Sequence, residues 1–263
     1  VTAFARTATA AACLLATLSP GAAADRAVSL QVPPDLAKDL PAMPRIANPV
    51  DDAERRINAA VQRLDGAVRK AAAECLAEGG KHADYGRHIE VTMRGPRFLS
   101  YTMTDSAFCG GAHPNTGTSA IVYDLVSGAP VDWTALLPPA LTGKVALQTE
   151  MDGSRMVSLS SKRLFDLYLK AYRPRTGQAK AKADADDDEC REAVAMPNGD
   201  GPPAMTVWPD AKAGGLAVQF DLAHVVQACA DVVVVPVATL TAEGANPVLT
   251  DAITAARSAR PAH

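Results

Sequence analysis

Residues 86–125 read GRHIEVTMRGPRFLSYTMTDSAFCGGAHPNTGTSAIVYDL, and this stretch decides the fold. Ile89, Val91 and Met93 alternate with polar residues, Gly95-Pro96 turns the chain, and Phe98, Ser100, Tyr101 and Met103 carry it back. Ile121, Tyr123 and Leu125 share one face of a third segment that starts near Ser119. A period of two is the mark of strands with one buried face. Ser127-Gly128 reads as a further hairpin turn, with the chain returning through Val131 and Trp133. The product is an antiparallel meander whose apolar side needs a cover.

The cover lies just upstream. Ile57, Val61, Leu64 and Val68 recur at helical spacing, and Ala60, Ala67 and Ala71 widen the stripe. Asp51-Asp52 puts negative charge at the helix start, and Gly79-Gly80 stops it, leaving Cys75 in the last two turns. Before the helix, residues 25–50 hold five prolines, with Val28, Leu30 and Val32 alternating as a short strand. After the meander, Leu136, Leu137, Leu141, Val145 and Leu147 predict helix, and Met156 to Tyr172, with Leu164, Leu167, Tyr168 and Ala171 at helical spacing, predicts another, closed by Pro174. Residues 176–189 are charged and low in complexity and read as a solvated loop. Strands follow around Met205, Val207 and Trp208, around Leu216, Val218 and Phe220, and over residues 232–237. Residues 244–263 read as a weak helix or frayed tail. The fold class is α+β, with antiparallel sheets packed on a few helices. Apolar residues make up 48% of the chain, enough for a core, but aromatics only 5%, so that core rests on Ala, Val and Leu.

Residues 1–24 have the layout of a secretory signal. Arg6 gives a basic head, the run from Ala8 through Leu14, Leu15 and Leu18 an apolar middle, and Ala22-Ala23-Ala24 a small-residue cleavage site before Asp25. The apolar run is shorter than the roughly 20 residues that span a bilayer, so no stable membrane insertion is expected. Periplasmic or secreted location follows. Cys13 would leave with the leader, and Cys75, Cys109, Cys190 and Cys229 remain. In an oxidising compartment an even number reads as disulfides. Four cysteines allow three pairings. Cys75–Cys109 and Cys190–Cys229 are favoured, because each closes a moderate loop, contributing about 3–4 kcal/mol on the chain-entropy estimate.

Formal net charge is −3 and no basic stripe is present, which argues against nucleic acid. No Cys-x2-Cys or His-x3–5-His spacing suits zinc. An EF-hand loop begun at Asp184 would need Gly and Glu where Glu189 and Ala195 stand. Neither metal nor cofactor is expected. No Gly-x-Ser-x-Gly elbow and no Ser-x-x-Lys occurs. The sharpest candidate is the loop of Gly110, Gly111, His113 and Asn115, with Asp105 near in sequence; its glycines allow close approach to a partner or a positive φ. A tight turn whose histidine bonds to backbone is the plainer reading. Cys109 with His113 could form a nucleophile and base, though a disulfide is the stronger expectation. His82, His88 and His224 have no partner at ligand spacing, and Trp133 and Trp208 fit a core better than a sugar platform.

Gly110-Gly111-Ala112-His113-Pro114-Asn115, then Tyr123-Asp124-Leu125-Val126-Ser127-Gly128 and Val131-Asp132-Trp133, resemble the exported domain pair DUF4163 and DUF3298. Met43-Pro44-Arg45-Ile46, and the run from Gly215-Leu216-Ala217-Val218 through Phe220-Asp221 to Val235-Pro236, fit the same pattern. That pair occurs in an anti-sigma factor that senses lysozyme and beside the catalytic domain of a peptidoglycan deacetylase. The resemblance implies two small interlocked halves, over residues 25–133 and 134–243, and an extracytoplasmic location. It implies no single activity. The expected function is a non-catalytic binding module of the cell envelope, recognising peptidoglycan or a secreted protein such as lysozyme; the alternative is a cell-wall hydrolase or transferase using Cys109 or His113.

Overall fold

The proline-rich segment forms a small ribbon in which β1 (Leu30–Gln31) pairs antiparallel with β2 (Arg45–Ile46). In the computed structural model, which describes residues 26–173, 183–196 and 201–259, this ribbon is strapped to the first helix. That helix, α1 (Asp52–Gly79), starts at Asp51, whose carboxylate accepts the Glu54 N–H at 2.8 Å, and ends where Gly80 takes a φ of 63°. The strap is polar. Asn58 Oδ1 accepts from Ile46 N at 2.8 Å while its Nδ2 donates to Ile46 O at 2.9 Å. Buried Asp65 accepts from Met43 N and from Arg45, and buried Glu54 accepts from Val50 N and Arg26.

The meander is as the alternation predicts, with longer strands: β3 (Asp84–Arg94), β4 (Phe98–Phe108) and β5 (Asn115–Asp124), in the order β3-β4-β5. Ile57 and Val61 of α1 pack on Leu99, Tyr101, Met103 and Tyr123 of one face. Met93, Phe98, Ala120 and Val122 belong to the other core, which they share with Trp133, Trp208 and Leu216. A sheet so placed is buried from both sides, and both tryptophans are core residues.

After the meander the chain departs from the sequence reading. The turn at Ser127-Gly128 does bring the chain back beside β5, with Pro130 bridging Tyr123 and Val131 N donating to Val122 O at 2.9 Å, but Trp133 opens a short helix, α2 (Trp133–Leu136), capped by Asp132. The helix expected through Val145 and Leu147 ends after α3 (Pro139–Thr142). Gly143 has a φ of 54°, and a Cβ there would lie 2.1 Å from Ser160 O. The chain continues as a hairpin of β6 (Lys144–Thr149) and β7 (Arg155–Ser160), so Met156 lies in a strand and the second expected helix begins only at Lys162, capped by Ser161. Next come α4 (Lys162–Ala171) and α5 (Ala183–Ala195), so the end of the acidic run is helical rather than a loop. Then β8 (Thr206–Asp210), β9 (Gly215–Gln219) and β10 (Val233–Pro236) form a second three-stranded antiparallel sheet, and α6 (Val237–Ala242) follows. Beyond it, α7 (Pro247–Ser258) is a packed helix with Leu249 and Ile253 buried, where a frayed tail was one expectation. The secretory signal over residues 1–24, Pro174, residues 176–182 and the last four residues lie outside the described residues.

Among the described residues no helix is long and apolar enough to cross a membrane. Disulfides join Cys75 to Cys109 and Cys190 to Cys229.

Replacing Asn58 by Ala strips both backbone partners from Ile46 and should cost about 2 kcal/mol. Urea unfolding of the oxidised protein measures this, and a loss below about 0.5 kcal/mol would mean that water serves Ile46 equally well.

Candidate functional site

One charge organises the end of the meander. Arg87 and Asp105 lie directly opposite each other in the β3–β4 register. Arg87 Nε donates to Asp105 Oδ1 at 2.7 Å and Nη2 to Oδ2 at 3.3 Å. Nη2 also reaches Asp152 Oδ2 at 3.4 Å, from the turn between β6 and β7. All three residues are buried. The other oxygen of Asp152 accepts from Ser154 N at 2.9 Å and Ser154 Oγ at 2.5 Å, which shapes the turn. A distant hairpin tip is thereby pinned to the first sheet by an ion triad.

That tip walls a cleft of about 390 Å³. The other walls are residues 114–117, at the start of β5, and residues 221–227, after β9. Asn115 Nδ2 lies 3.2 Å from Met151 Sδ across the cleft. Gln227 folds its own segment: Oε1 accepts from Leu222 N at 3.0 Å and Nε2 donates to Asp221 Oδ1 at 3.4 Å. The lining is polar, with Asn115, Gln148 and Gln227 amides, Thr116 and Thr149 hydroxyls, and the Glu150 and Asp221 carboxylates. Each disulfide steadies an approach to it. Cys75–Cys109 ties the end of α1 to the end of β4, and Cys190–Cys229 ties α5 to the short helical segment His224–Cys229 that carries Gln227. A larger groove of about 610 Å³ lies between residues 91–96 and α7, but Arg94 is its single ionisable residue, so the polar chemistry gathers elsewhere.

The cleft is electrostatically uneven. Burial, then the nearby carboxylates of Asp221, Asp152 and Asp105, push the Glu150 carboxyl up to about 7. Burial also raises Asp221, against the Gln227 hydrogen bond, although Asp221 keeps an exposed surface. Arg87 is already committed to Asp105 and Asp152. Near neutrality Glu150 can therefore either donate or accept a hydrogen bond.

Of the loop singled out in the sequence, Asn115 lines the cleft. Gly110, with a φ of 89°, serves close packing: a Cβ there would meet Gly79 Cα at 3.0 Å. Gly111 has open space around its Cα, and His113 is exposed on the same connection. Bonded to Cys75, Cys109 offers no thiolate. His82 and His88 are exposed, and the His224 side chain lies outside the described residues. Among the described residues no cluster of three or more His, Cys, Asp or Glu could hold a metal ion. Sequence reasoning missed Arg87, Glu150, Asp152, Asp221 and Gln227. A usable signal existed for Arg87 alone: it occupies an inward position between Tyr85 and Ile89.

Structural neighbours of this chain are DUF3298-family proteins. A member from Bacteroides fragilis NCTC 9343 aligns with a TM-score of 0.49 at 15% identity, covering 79% of this chain and 85% of its own. Another, from Pseudomonas aeruginosa PAO1, aligns with a TM-score of 0.48 at 14% identity, covering 78% and 84%. No family model matches the chain, and no curated protein matches it.

Glu150 makes stability depend on pH. Its folded pKa, about 7, lies above the ordinary 4.5, so the folded state holds the proton more tightly. The associated stability is present below about pH 4.5 and is lost as pH rises through 7. Glu150→Gln should therefore raise stability at pH 8 by about 1–2 kcal/mol, discounted for partial exposure, and change little at pH 4.5. Thermal unfolding of dilute protein across that range is the measurement, and an equal effect at both ends would refute the assignment.

Proposed function

We propose that this chain is a non-catalytic, exported binding module of the bacterial cell envelope, periplasmic or secreted, and that its cleft takes glycopeptide fragments of peptidoglycan. The observation that carries the reading is the cleft itself. Amides, hydroxyls and carboxylates from three separate segments converge on one concavity, and its walls are held by the Arg87 triad and two disulfides. Glycopeptides present hydroxyls, amides and carboxyl groups in abundance, and such a lining can match them donor to acceptor. A pre-held polar site loses little on ordering when it binds.

Neither residue of the nucleophile-and-base alternative serves this cleft. Cys109 is consumed in a disulfide, and His113 does not line the cleft. Glu150 and Asp221 are the acids there, the hydroxyls beside them belong to Thr116 and Thr149, and no serine or cysteine lines the cleft. Two disulfides suit an oxidising compartment, and the leader-like residues 1–24 agree with that.

Isothermal titration of the oxidised protein with soluble muropeptides, and separately with lysozyme, tests the proposal. Saturable binding of muropeptides is expected, weakened about tenfold when Asn115→Ala and Gln227→Ala are combined. Muropeptides should be recovered uncleaved by mass spectrometry. Binding of lysozyme alone would move the partner from the wall to a protein; binding of neither would sink the reading, and cleavage would end the non-catalytic part of it.

A further inference from the structure

The hairpin that walls the cleft also presents an open edge. β6 pairs with β7, and along its outer edge residues 144–149 have no backbone partner among the described residues. Five of its six residues are exposed, and Ala146 is half-buried. Val145 is 41% and Leu147 53% exposed, on one face of the strand. Exposed edges of this kind are usually blunted by proline, a bulge or several charges. β6 has a single charge, Lys144, at its first residue, and its register with β7 runs without a bulge.

The sequence along this edge is complementary to itself. Lys144-Val145-Ala146-Leu147-Gln148-Thr149-Glu150 begins with a cation and ends with an anion, with Leu147 at its centre. We infer that β6 is a self-docking edge, on which two copies of this chain pair antiparallel about Leu147, each Lys144 opposite Glu150 of the other copy. In that register Leu147 meets its own counterpart, Val145 faces Thr149, and Ala146 faces Gln148. Side chains alternate faces, so Val145, Leu147 and Thr149 of both strands make one continuous patch, while Lys144 and Glu150 share the opposite face.

A second, separate observation favours this occupant. Glu150 lies among the carboxylates of Asp221, Asp152 and Asp105, and Arg87 is already bonded to Asp105 and Asp152. The position calls for a cation. Antiparallel pairing delivers one, Lys144 of the second copy, twice per dimer. The reverse, parallel pairing would set Lys144 beside Lys144 and Glu150 beside Glu150, which like-charge repulsion disfavours. The inference stands independently of what the cleft binds. A single short strand from each copy makes a small interface, so the association is a weak one.

Sedimentation velocity of the oxidised chain, up to about 1 mM, measures it. A monomer–dimer equilibrium is expected. Leu147→Lys places like charges face to face at the axis, and Lys144→Glu does so at both ends; each should raise the dimer Kd at least about tenfold. The pair Lys144→Glu with Glu150→Lys reverses both charges and should return Kd to within about threefold of the starting value. These positions are exposed or half-buried, and thermal unfolding of each variant in dilute solution checks that the monomer is intact. A chain that stays monomeric throughout overturns the proposal. So does a dimer indifferent to Leu147→Lys, or one that the double charge reversal fails to restore.

Discussion

A guanidinium cannot give up its proton at any ordinary pH, so a buried arginine must be met by carboxylates. Arg87 imposes that demand on this fold. One acid, Asp105, is supplied by the neighbouring strand, directly opposite in the register. The other, Asp152, comes from a turn 65 residues further along the chain. The triad therefore does more than neutralise a charge. It fixes where the tip of the β6–β7 hairpin rests, and hence where one wall of the cleft stands. Buried ion networks of this kind contribute little net stability relative to apolar packing, while removal of one member costs several kcal/mol. Their value lies in specifying one docking of two elements among several that aliphatic contacts alone would permit.

The rest of the framework compensates for a core poor in aromatic rings. Around α4 they cluster: Tyr168 stacks beside Tyr172 and packs against Phe220, and the hydroxyls of both tyrosines donate to carbonyls of the segment after β9. That segment also carries Cys229. Helix α4, the Cys190–Cys229 bridge and Gln227 thus converge on the same stretch of chain. Ahead of the wall at residues 114–117, Gly79 and Gly110 let the end of α1 touch the loop after β4, beside the Cys75–Cys109 bridge. Backbone that would otherwise fray is held at both approaches to the cleft, which is what a polar site needs if it is to keep donors and acceptors aimed.

Legibility in the sequence followed periodicity. α1 and the strands of the meander repeat cleanly, and their identities could be read from Ile57 to Tyr123. The β6–β7 hairpin was misread because Leu136, Leu137, Leu141, Val145 and Leu147 fit a helical spacing, and the break is made by one residue, Gly143, whose positive φ and contact with Ser160 the pattern does not display. The acidic run is compatible with a helix start as well as with a loop, because carboxylates there are favoured by the exposed N–H groups. Asn246-Pro247 was likewise a cap followed by proline at the first helical position, the usual opening of a helix. The cleft was largely illegible. Asn115, Glu150 and Asp221 come from segments far apart in the chain, and only the tertiary fold brings them to one cleft.

Glu150 links the two surfaces of the hairpin. On the cleft side it holds a proton near neutrality because burial and the charges of Asp221, Asp152 and Asp105 oppose its ionisation, with Arg87 occupied by the last two. On the edge side it stands where the lysine of a second strand would sit. A cation arriving there draws the proton off, and reciprocity then requires that protonation loosen the strand pair by the same factor. A ligand in the cleft that favours one protonation state of Glu150 biases the edge as well. Coupling of this sort needs no moving part beyond the proton, because a single carboxyl belongs to both surfaces and the Arg87 triad keeps it from retreating from either.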